Sequence, residues 1–190
     1  IGGWRTRSDT ASAGQVRGMH SWIANNSDRW IAAGSYNKLY VYSGAGIQYD
    51  ITPTGFTAGN EDALTPVGYG NSFYGLEYYG TPRQESVTIT PATTWSMDSW
   101  GQYLVACSST DGKVYEWQLS TGTIAAVVAN APVNNRAILV TEERFLMCLG
   151  AGGNPRLVQW SDREDNTVWT PAATNEAGSL ELQTTGRIQC

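Results

Sequence analysis

The sequence predicts an all-β protein, a partial β-propeller of about three to four blades with an inserted Gly/Tyr-rich loop. Its 190 residues include 21 glycines and 11% aromatic residues but only 15% charged residues. Such a composition favours short strands and tight turns over helices. Turn signals separate short apolar runs, and one unit of runs and turns recurs along the chain. We treat residues 1–190 as one propeller segment, because this length suits a single core.

The recurring unit consists of an apolar run, a turn that contains Gly or Asn, and a second run that ends in an aromatic residue. Turns such as Asp111-Gly112 between apolar runs are hairpin signals. The first run of each unit is almost entirely apolar, which predicts a strand buried on both faces. The second run alternates better, so Glu116 and Gln159 should point away from their neighbours. The units cover residues 29–34 with 38–42, 102–107 with 113–117, and 144–149 with 156–160.

The spacing of the units favours propeller blades. Tyr103 and Phe145 occupy the same place in the second and third units and are 42 residues apart, and about 40–45 residues is the length of a four-stranded blade. A β-sandwich would also show short strands and turns, but it would not require this recurrence. The first and second units are 73 residues apart. The excess of roughly 30 residues over one blade predicts an insertion between blades at 50–93.

The number of units predicts that the ring is not closed by this segment alone. Propellers close with about four to eight blades, and only residues 184–190 are expected to begin another blade. The sequence starts at Ile1 rather than Met and stops within that expected strand. We therefore expect either a longer polypeptide or other chains to complete the ring.

The predicted insertion contains a Gly/Tyr-rich stretch at 68–80. Glycine lets the backbone turn freely, and tyrosine offers contact area and a hydroxyl at low entropic cost. Such a loop suits contact with another protein chain or with sugar rings. The alternative is a long loop folded onto its own blade. The aromatic residues of this possible contact loop are Tyr69, Phe73, Tyr74, Tyr78 and Tyr79.

No combination of residues predicts catalysis, a cofactor or a metal site. The single histidine is His20, at the entry to a strand, and no Gly-x-Ser-x-Gly motif occurs. An acidic stretch at 160–169 loosely resembles the Asp-box turn of sialidases, although its Asp is early, its Gly is absent and its Trp is late. We predict a structural blade turn, in which Asp162 and Asp165 cap the turn and Trp160 and Trp169 pack at the blade edge.

Charge and cysteine content exclude several classes of function. The net charge is −5 and the twelve basic residues are scattered, whereas nucleic-acid binding needs clustered Lys and Arg. No apolar run reaches the roughly 18 residues that span a membrane. Cys107, Cys148 and Cys190 are odd in number and lack close spacing. They are therefore expected to be small buried hydrophobic residues rather than disulfide partners or zinc ligands.

Two stretches resemble a family of phage and prophage virion proteins, the propeller-bearing nozzle (tail tubular) proteins of short-tailed phages. The resemblance covers most of the chain, is most specific in its C-terminal half, and fades toward residues 17–20 and 50–53. The stretches that carry it are 95–101 with 104–109, and 149–155 with 160–162 and 168–175, continuing through 178–184.

The resemblance implies a structural protein of the virion tail with no catalytic residue. Family members form a hexameric ring of copies below the portal and adaptor proteins, through which the genome leaves, and they support tail-fibre proteins. A negative chain beside this conduit would let DNA pass without specific binding. Two alternatives remain: a carbohydrate-binding or glycan-degrading propeller that recognises host sugars, and a WD40-like scaffold, which lacks its Gly-His and Trp-Asp signature here.

Overall fold

The computed structural model describes residues 3, 6–63, 90–186 and 188. The described residues form three four-stranded antiparallel sheets and one short 3-10 turn, with no α-helix among them. Sheet 1 contains β1 (Gly18–Ile23), β2 (Arg29–Gly34), β3 (Leu39–Ser43) and β4 (Gln48–Asp50). Sheet 2 contains β5 (Trp95–Trp100), β6 (Tyr103–Ser108), β7 (Val114–Trp117) and β8 (Ala126–Val127). Sheet 3 contains β9 (Ala137–Val140), β10 (Leu146–Leu149), β11 (Leu157–Trp160) and β12 (Gly178–Glu181).

Each sheet is an up-and-down meander in which strands pair in chain order. The all-β prediction is therefore confirmed, and so are the three hairpins, which are β2–β3, β6–β7 and β10–β11. In the β6–β7 turn, Gly112 has a φ of 60°, and its amide donates to the Ser108 carbonyl. Glycine adopts this left-handed conformation without strain, which explains the Asp-Gly signal in the sequence.

Sheet 2 lies between the other two sheets and divides the core into two parts. The first core, between sheets 1 and 2, contains Trp22, Trp30, Leu39, Trp95, Leu104, Tyr115 and Trp117. The second core, between sheets 2 and 3, contains Trp100, Val105, Cys107, Val114, Leu146, Cys148 and Trp169. Successive residues of β6 alternate between the two cores, as the two-residue period of a strand requires.

The prediction that all three first runs are buried on both faces is correct only for β6. Residues 104–108 of that strand are all buried. In β2, by contrast, Ile31 is 38% exposed, and in β10 Met147 and Leu149 are only half-buried. The reason is position: among the described residues, β2 and β10 belong to the outer sheets, and only sheet 2 has a neighbouring sheet on each side.

The first strands of the three sheets adjoin one another. β5 contacts β1 on one side and β9 on the other, while β4, β8 and β12 lie at the opposite edges of their sheets. Between sheets 1 and 2 the chain runs from Asp50 to Trp95, the region expected to be an insertion. The Ile51 side chain of this segment is buried in the first core, and its carbonyl accepts from the Ala125 amide at 3.0 Å.

The described residues do not show the sheets closing into a ring. β12 completes sheet 3, and residues 183–186 beyond it form bends rather than a strand. Residues 187, 189 and 190 lie outside the described part, so the expected start of another blade stays a prediction. No helix in the described part of the chain is long and apolar enough to cross a bilayer.

Candidate functional site

The seam between the first strands is joined by side chains rather than by a backbone ladder. The hydroxyl of Ser96 on β5 donates to the Ile138 carbonyl at 2.8 Å and accepts from the Ile138 amide at 3.1 Å. The Asp98 carboxylate accepts from the Val140 amide at 2.8 Å. Ile138 and Val140 lie on β9, the edge strand of sheet 3. The side chains of β5 therefore satisfy backbone groups that an edge strand would otherwise leave unpaired.

The other side of β5 is joined to β1 in a related way. His20 Nε2 lies 2.8 Å from Ser99 Oγ, and the imidazole stacks on Trp22 with ring centroids 5.9 Å apart. The Trp22 indole in turn donates to the Gln102 carbonyl at 2.9 Å. Hydrogen bonds of polar side chains thus connect β5 to β1 on one side and to β9 on the other.

The two sides of the seam repeat the same geometry. In the ladder between the first and second strands, His20 lies opposite Ala32 in sheet 1 and Asp98 lies opposite Val105 in sheet 2. His20 and Asp98 therefore occupy equivalent places in the two sheets. The residues that they contact on the next sheet, Ser99 and Val140, are also equivalent. Ser99 lies opposite Leu104 of β6, and Val140 lies opposite Leu146 of β10, which is the first leucine of the second strand in each sheet. The sheets are therefore stacked by one repeated operation and not by unrelated contacts.

His20 and Ser99 form a hydrogen-bonded pair of the residue types used in nucleophilic catalysis. The neighbouring Asp98 already accepts from the amides of Ser99 and Val140. Three cavities of about 280, 940 and 440 Å³ lie elsewhere, and neither His20 nor Ser99 lines any of them. The hydrogen bond between His20 and Ser99 therefore connects β1 to β5, and none of these three cavities would bring a substrate to this pair.

Burial lowers the pKa of the half-buried His20 imidazole below its usual range, and the negative charge of Asp98 only partly opposes this effect. The unfolded chain then binds more protons than the folded chain as pH falls below the ordinary histidine pKa of about 6.5. We expect the free energy of unfolding to decrease on acidification from about pH 7 to about pH 5. His20 is the only histidine in the sequence.

His20→Gln is expected to remove this pH dependence, because glutamine is neutral and its amide can still bond to Ser99. Urea unfolding at several pH values, followed by circular dichroism, measures the effect. An unchanged slope between about pH 7 and about pH 5 in the variant would contradict the assignment.

The acidic stretch forms a tight turn after β11. The Asp162 carboxylate accepts from the amides of Arg163 at 2.9 Å and Glu176 at 2.8 Å. The Asp165 carboxylate accepts from the Thr167 amide at 2.9 Å and from its hydroxyl at 2.6 Å. Hydrogen bonds to Thr167 hold the pKa of Asp165 below its usual range. Both carboxylates thus accept hydrogen bonds within the turn, and Asp162 also ties the turn to the more distant Glu176, a structural arrangement.

The two tryptophans beside this turn lie in different environments. Trp169 is buried in the second core, and its indole donates to the Asn166 carbonyl at 2.7 Å. Trp160 is half-buried on the outer face of sheet 3, and its indole donates to the Glu176 carbonyl at 2.8 Å. Its ring lies over Gly178, where a Cβ would stand 2.5 Å from the indole. Trp160 is thus available to an outer neighbour, whereas Trp169 is not.

Two of the three cysteines are buried core residues. Cys107 and Cys148 lie within β6 and β10 and are fully buried. Burial raises the pKa of the Cys148 thiol far above its ordinary value, which keeps the thiol protonated. Both residues serve as small core side chains, as the sequence predicted, while Cys190 lies outside the described residues.

The outer face of sheet 3 is apolar and has no neighbouring sheet in the described part of the chain. Two cross-strand rows run over it, and neither contains a charged residue. Leu180 is 57% exposed, and the other large side chains of the rows are half-buried. The rows are Ala137–Leu149–Val158–Leu180 and Leu139–Met147–Trp160–Gly178.

The outer face of sheet 1 is apolar near the seam and covered farther out. Met19, Ile23 and Ile31 are 68%, 61% and 38% exposed. Tyr40 on the same face is buried, and the Ala13 amide of the N-terminal segment donates to its hydroxyl at 3.2 Å. The exposed apolar part of this face is therefore limited to these three residues of β1 and β2, since Ala33 of β2 is buried as well.

Sequence reasoning missed the motif that organises the seam, although the signal was present. β1 and β5 share the pattern Met-x-Ser-Trp, with Met19 to Trp22 in one strand and Met97 to Trp100 in the other. The recurring unit predicted from the sequence begins at the second strand of each sheet and does not extend back to the first. The first strand of sheet 3 lacks this pattern, so the motif recurs in two of the three sheets and is a weak repeat signal in the sequence.

The expected contact loop cannot be placed in this arrangement, because Tyr69, Phe73, Tyr74, Tyr78 and Tyr79 all lie outside the described residues. Among the residues that are described, no group of three or more His, Cys, Asp or Glu side chains could hold a metal ion. Comparisons with protein-family models, curated proteins and solved structures find no match to this chain. The geometry alone defines the class: an all-β stack of four-stranded antiparallel sheets.

Proposed function

We propose that this protein is a structural component of a phage tail, of the nozzle or tail tubular type, and that it acts without enzymatic activity. One observation carries the proposal: the sheets stack by a repeated contact, and each end of the stack exposes apolar side chains, Leu180 on sheet 3 and Met19, Ile23 and Ile31 on sheet 1. Such a molecule functions by binding neighbours. Among assemblies of this kind we propose the phage tail because of the resemblance to virion proteins at residues 95–101 with 104–109, and 149–155 with 160–162 and 168–175.

The three sheets are, in this proposal, blades of a propeller. The meander order and the number of strands per sheet are those of a blade. The adjoining first strands also support the proposal, because the first strands of propeller blades lie around a central channel. The apolar ends of the stack are then the faces on which further blades would dock.

The proposed partners are other copies of the protein in a hexameric ring, the portal and adaptor proteins above it, and tail-fibre proteins. DNA passes through the ring without specific binding. The net charge of −5 supports transient passage, because an acidic surface repels phosphate and limits adhesion. The location that follows is the virion tail.

The test is to purify particles of the phage, or of the induced prophage, that encodes this chain. Mass spectrometry of the particles should detect its peptides at several copies per particle, and immunogold labelling should mark the tail. Particles from a strain with the coding region deleted provide the control. Absence of the peptides from intact particles, or label on the capsid alone, would refute the proposal.

A further inference from the structure

We propose that a small cavity between sheets 2 and 3 binds a sugar unit that carries an oxyanion, which is a carboxylate or a phosphate group. The cavity has a volume of about 280 Å³. It lies where the β6–β7 turn meets the segment before β9 and the 3-10 turn at Ala151–Gly153. The argument concerns this cavity alone, so it does not depend on the place of the protein in a phage tail.

Aromatic rings fill the corresponding end of the interface between sheets 1 and 2. Trp95 begins β5, four residues before Ser99. Its indole donates to the carbonyl of Ser35, in the β2–β3 turn, at 2.7 Å. Phe56 stacks on the Trp95 ring with centroids 5.3 Å apart. The space beside the β2–β3 turn is therefore occupied by the protein itself.

Arg136 takes the place of Trp95 in sheet 3. It lies four residues before Val140, which is equivalent to Ser99. Its amide donates to the Leu149 carbonyl at 2.8 Å and so continues the ladder between β9 and β10. The cavity thus occurs where the repeated stacking contact loses its aromatic filling. A local departure from an otherwise consistent packing rule is expected at a functional site.

The charge of the cavity favours an anion. Arg136 is the only charged residue among the described residues that line it. The Arg136 guanidinium forms no hydrogen bond or ion pair with any residue that the structure describes. A guanidinium can donate two parallel hydrogen bonds to a carboxylate or a phosphate. The cavity therefore attracts an oxyanion, although the chain as a whole has a net charge of −5.

A second group in the cavity requires a hydrogen-bond donor. Asn135 is 3% exposed, and its side-chain amide donates to the Gly112 carbonyl at 2.8 Å and also to the Pro132 carbonyl. These two bonds fix the orientation of the amide. They leave the buried Asn135 Oδ1 without a donor in the described part of the chain. An unsatisfied buried acceptor is costly, and a ligand hydroxyl that bonds to it would remove this cost.

These two requirements define the class of ligand. Arg136 needs an oxyanion, whereas Asn135 Oδ1 needs a hydroxyl. Ser109 and Thr110 add hydroxyls to the cavity wall, and these can bond to further hydroxyls of a ligand. A sugar acid or a sugar phosphate carries both kinds of group on one ring. The volume of about 280 Å³ lies near the lower limit of small-molecule sites, about 300 Å³, and so suits a single sugar unit.

Titration of the isotope-labelled protein tests the site through the amide resonances of residues 134–136 and 150–153 in nuclear magnetic resonance spectra. D-galacturonate should shift these resonances in a saturable way. Its dissociation constant should be at least about tenfold lower than that of D-galactose, which has the same ring without the carboxylate. Equal affinity for the two sugars would overturn the inference. It would also be overturned if neither galacturonate nor galactose phosphate shifted these resonances.

Two further probes identify the anion and test the need for hydroxyls. Tighter binding of galactose phosphate than of galacturonate would support the site and assign a phosphate, and the opposite order would support it and assign a carboxylate. Acetate, which lacks ring hydroxyls, should bind at least about tenfold more weakly than galacturonate. Equal affinity for acetate would show a site for adventitious ions only and would overturn the inference.

Variants of Arg136 separate the site from a general effect of charge. Arg136→Gln should weaken galacturonate binding by about tenfold or more. Arg163→Gln is the matched control, because it removes the same charge from an exposed position in the turn after β11. Equal weakening by the two variants would overturn the inference. Arg136→Lys keeps the charge but loses the paired hydrogen bonds, so a folded Lys variant with unchanged affinity would overturn it as well.

Discussion

Trp117→Ala is expected to reduce the free energy of unfolding by about 3–5 kcal/mol, a loss typical of a large buried aromatic side chain. Trp117 is 1% exposed at the centre of the first core. Its ring meets Trp30 edge-on at 5.3 Å and Trp22 edge-on at 6.4 Å between centroids. The substitution leaves a cavity between sheets 1 and 2, which the rigid indole rings cannot fill by small movements.

Urea unfolding followed by far-ultraviolet circular dichroism, at matched protein concentrations, measures this loss. Trp117→Phe is the control, because it retains an apolar ring but removes the indole donor to the carbonyls of Ser120 and Thr123. The control should lose only about 1–2 kcal/mol. Equal losses in the two variants would show that the hydrogen bonds, and not the contacts of the ring, provide the stability.

Asp98→Ala is expected to cost about 1–3 kcal/mol, because it leaves the Val140 amide of an edge strand without its acceptor. It should also change the pH dependence. Removing the negative charge that raises the pKa of His20 lets that pKa fall further. The loss of stability on acidification below the ordinary histidine pKa should therefore become larger than in the unaltered protein.

The same unfolding measurement, repeated from about pH 7 to about pH 5, reads both effects. Glu142→Ala is the control: it removes an exposed carboxylate from the turn between β9 and β10, and it should change stability by less than about 0.5 kcal/mol. A neutral effect of Asp98→Ala at pH 7 would mean that water replaces the carboxylate at the seam.

The local sequence pattern was sufficient to predict the hairpins, but it was not sufficient to predict the complete four-stranded sheets. The Asp111-Gly112 turn and its flanking apolar runs specify β6 and β7 through backbone conformation and a two-residue period, and neither depends on distant residues. The first strands were harder to predict. Ser96 and Asp98 look like surface residues in a sequence, yet in the fold they bond to the backbone of β9 about forty residues later along the chain.

The candidate site shows the same division. The bonds of Asp162 to Arg163 and of Asp165 to Thr167 are short-range, and residue types alone can suggest them, whereas the bond of Asp162 to Glu176 is not local. The different environments of Trp160 and Trp169 are not short-range, because they depend on which side of sheet 3 meets sheet 2. Two tryptophans that look alike in the sequence are therefore a core residue and an outer-face residue.

The sequence by itself determined that this protein is all-β, that it contains three hairpins, and that no motif for catalysis is present in its residue types. These properties follow from composition, turn chemistry and strand periodicity, which act over a few residues. Only the tertiary structure decided that sheet 2 is the middle of the described stack, and that Met19 and Leu139 lie on the outer faces of sheets 1 and 3. The physical reason is that burial is a property of neighbouring sheets: Met97 of sheet 2 packs against the first core, whereas Met19, at the equivalent place in sheet 1, is 68% exposed.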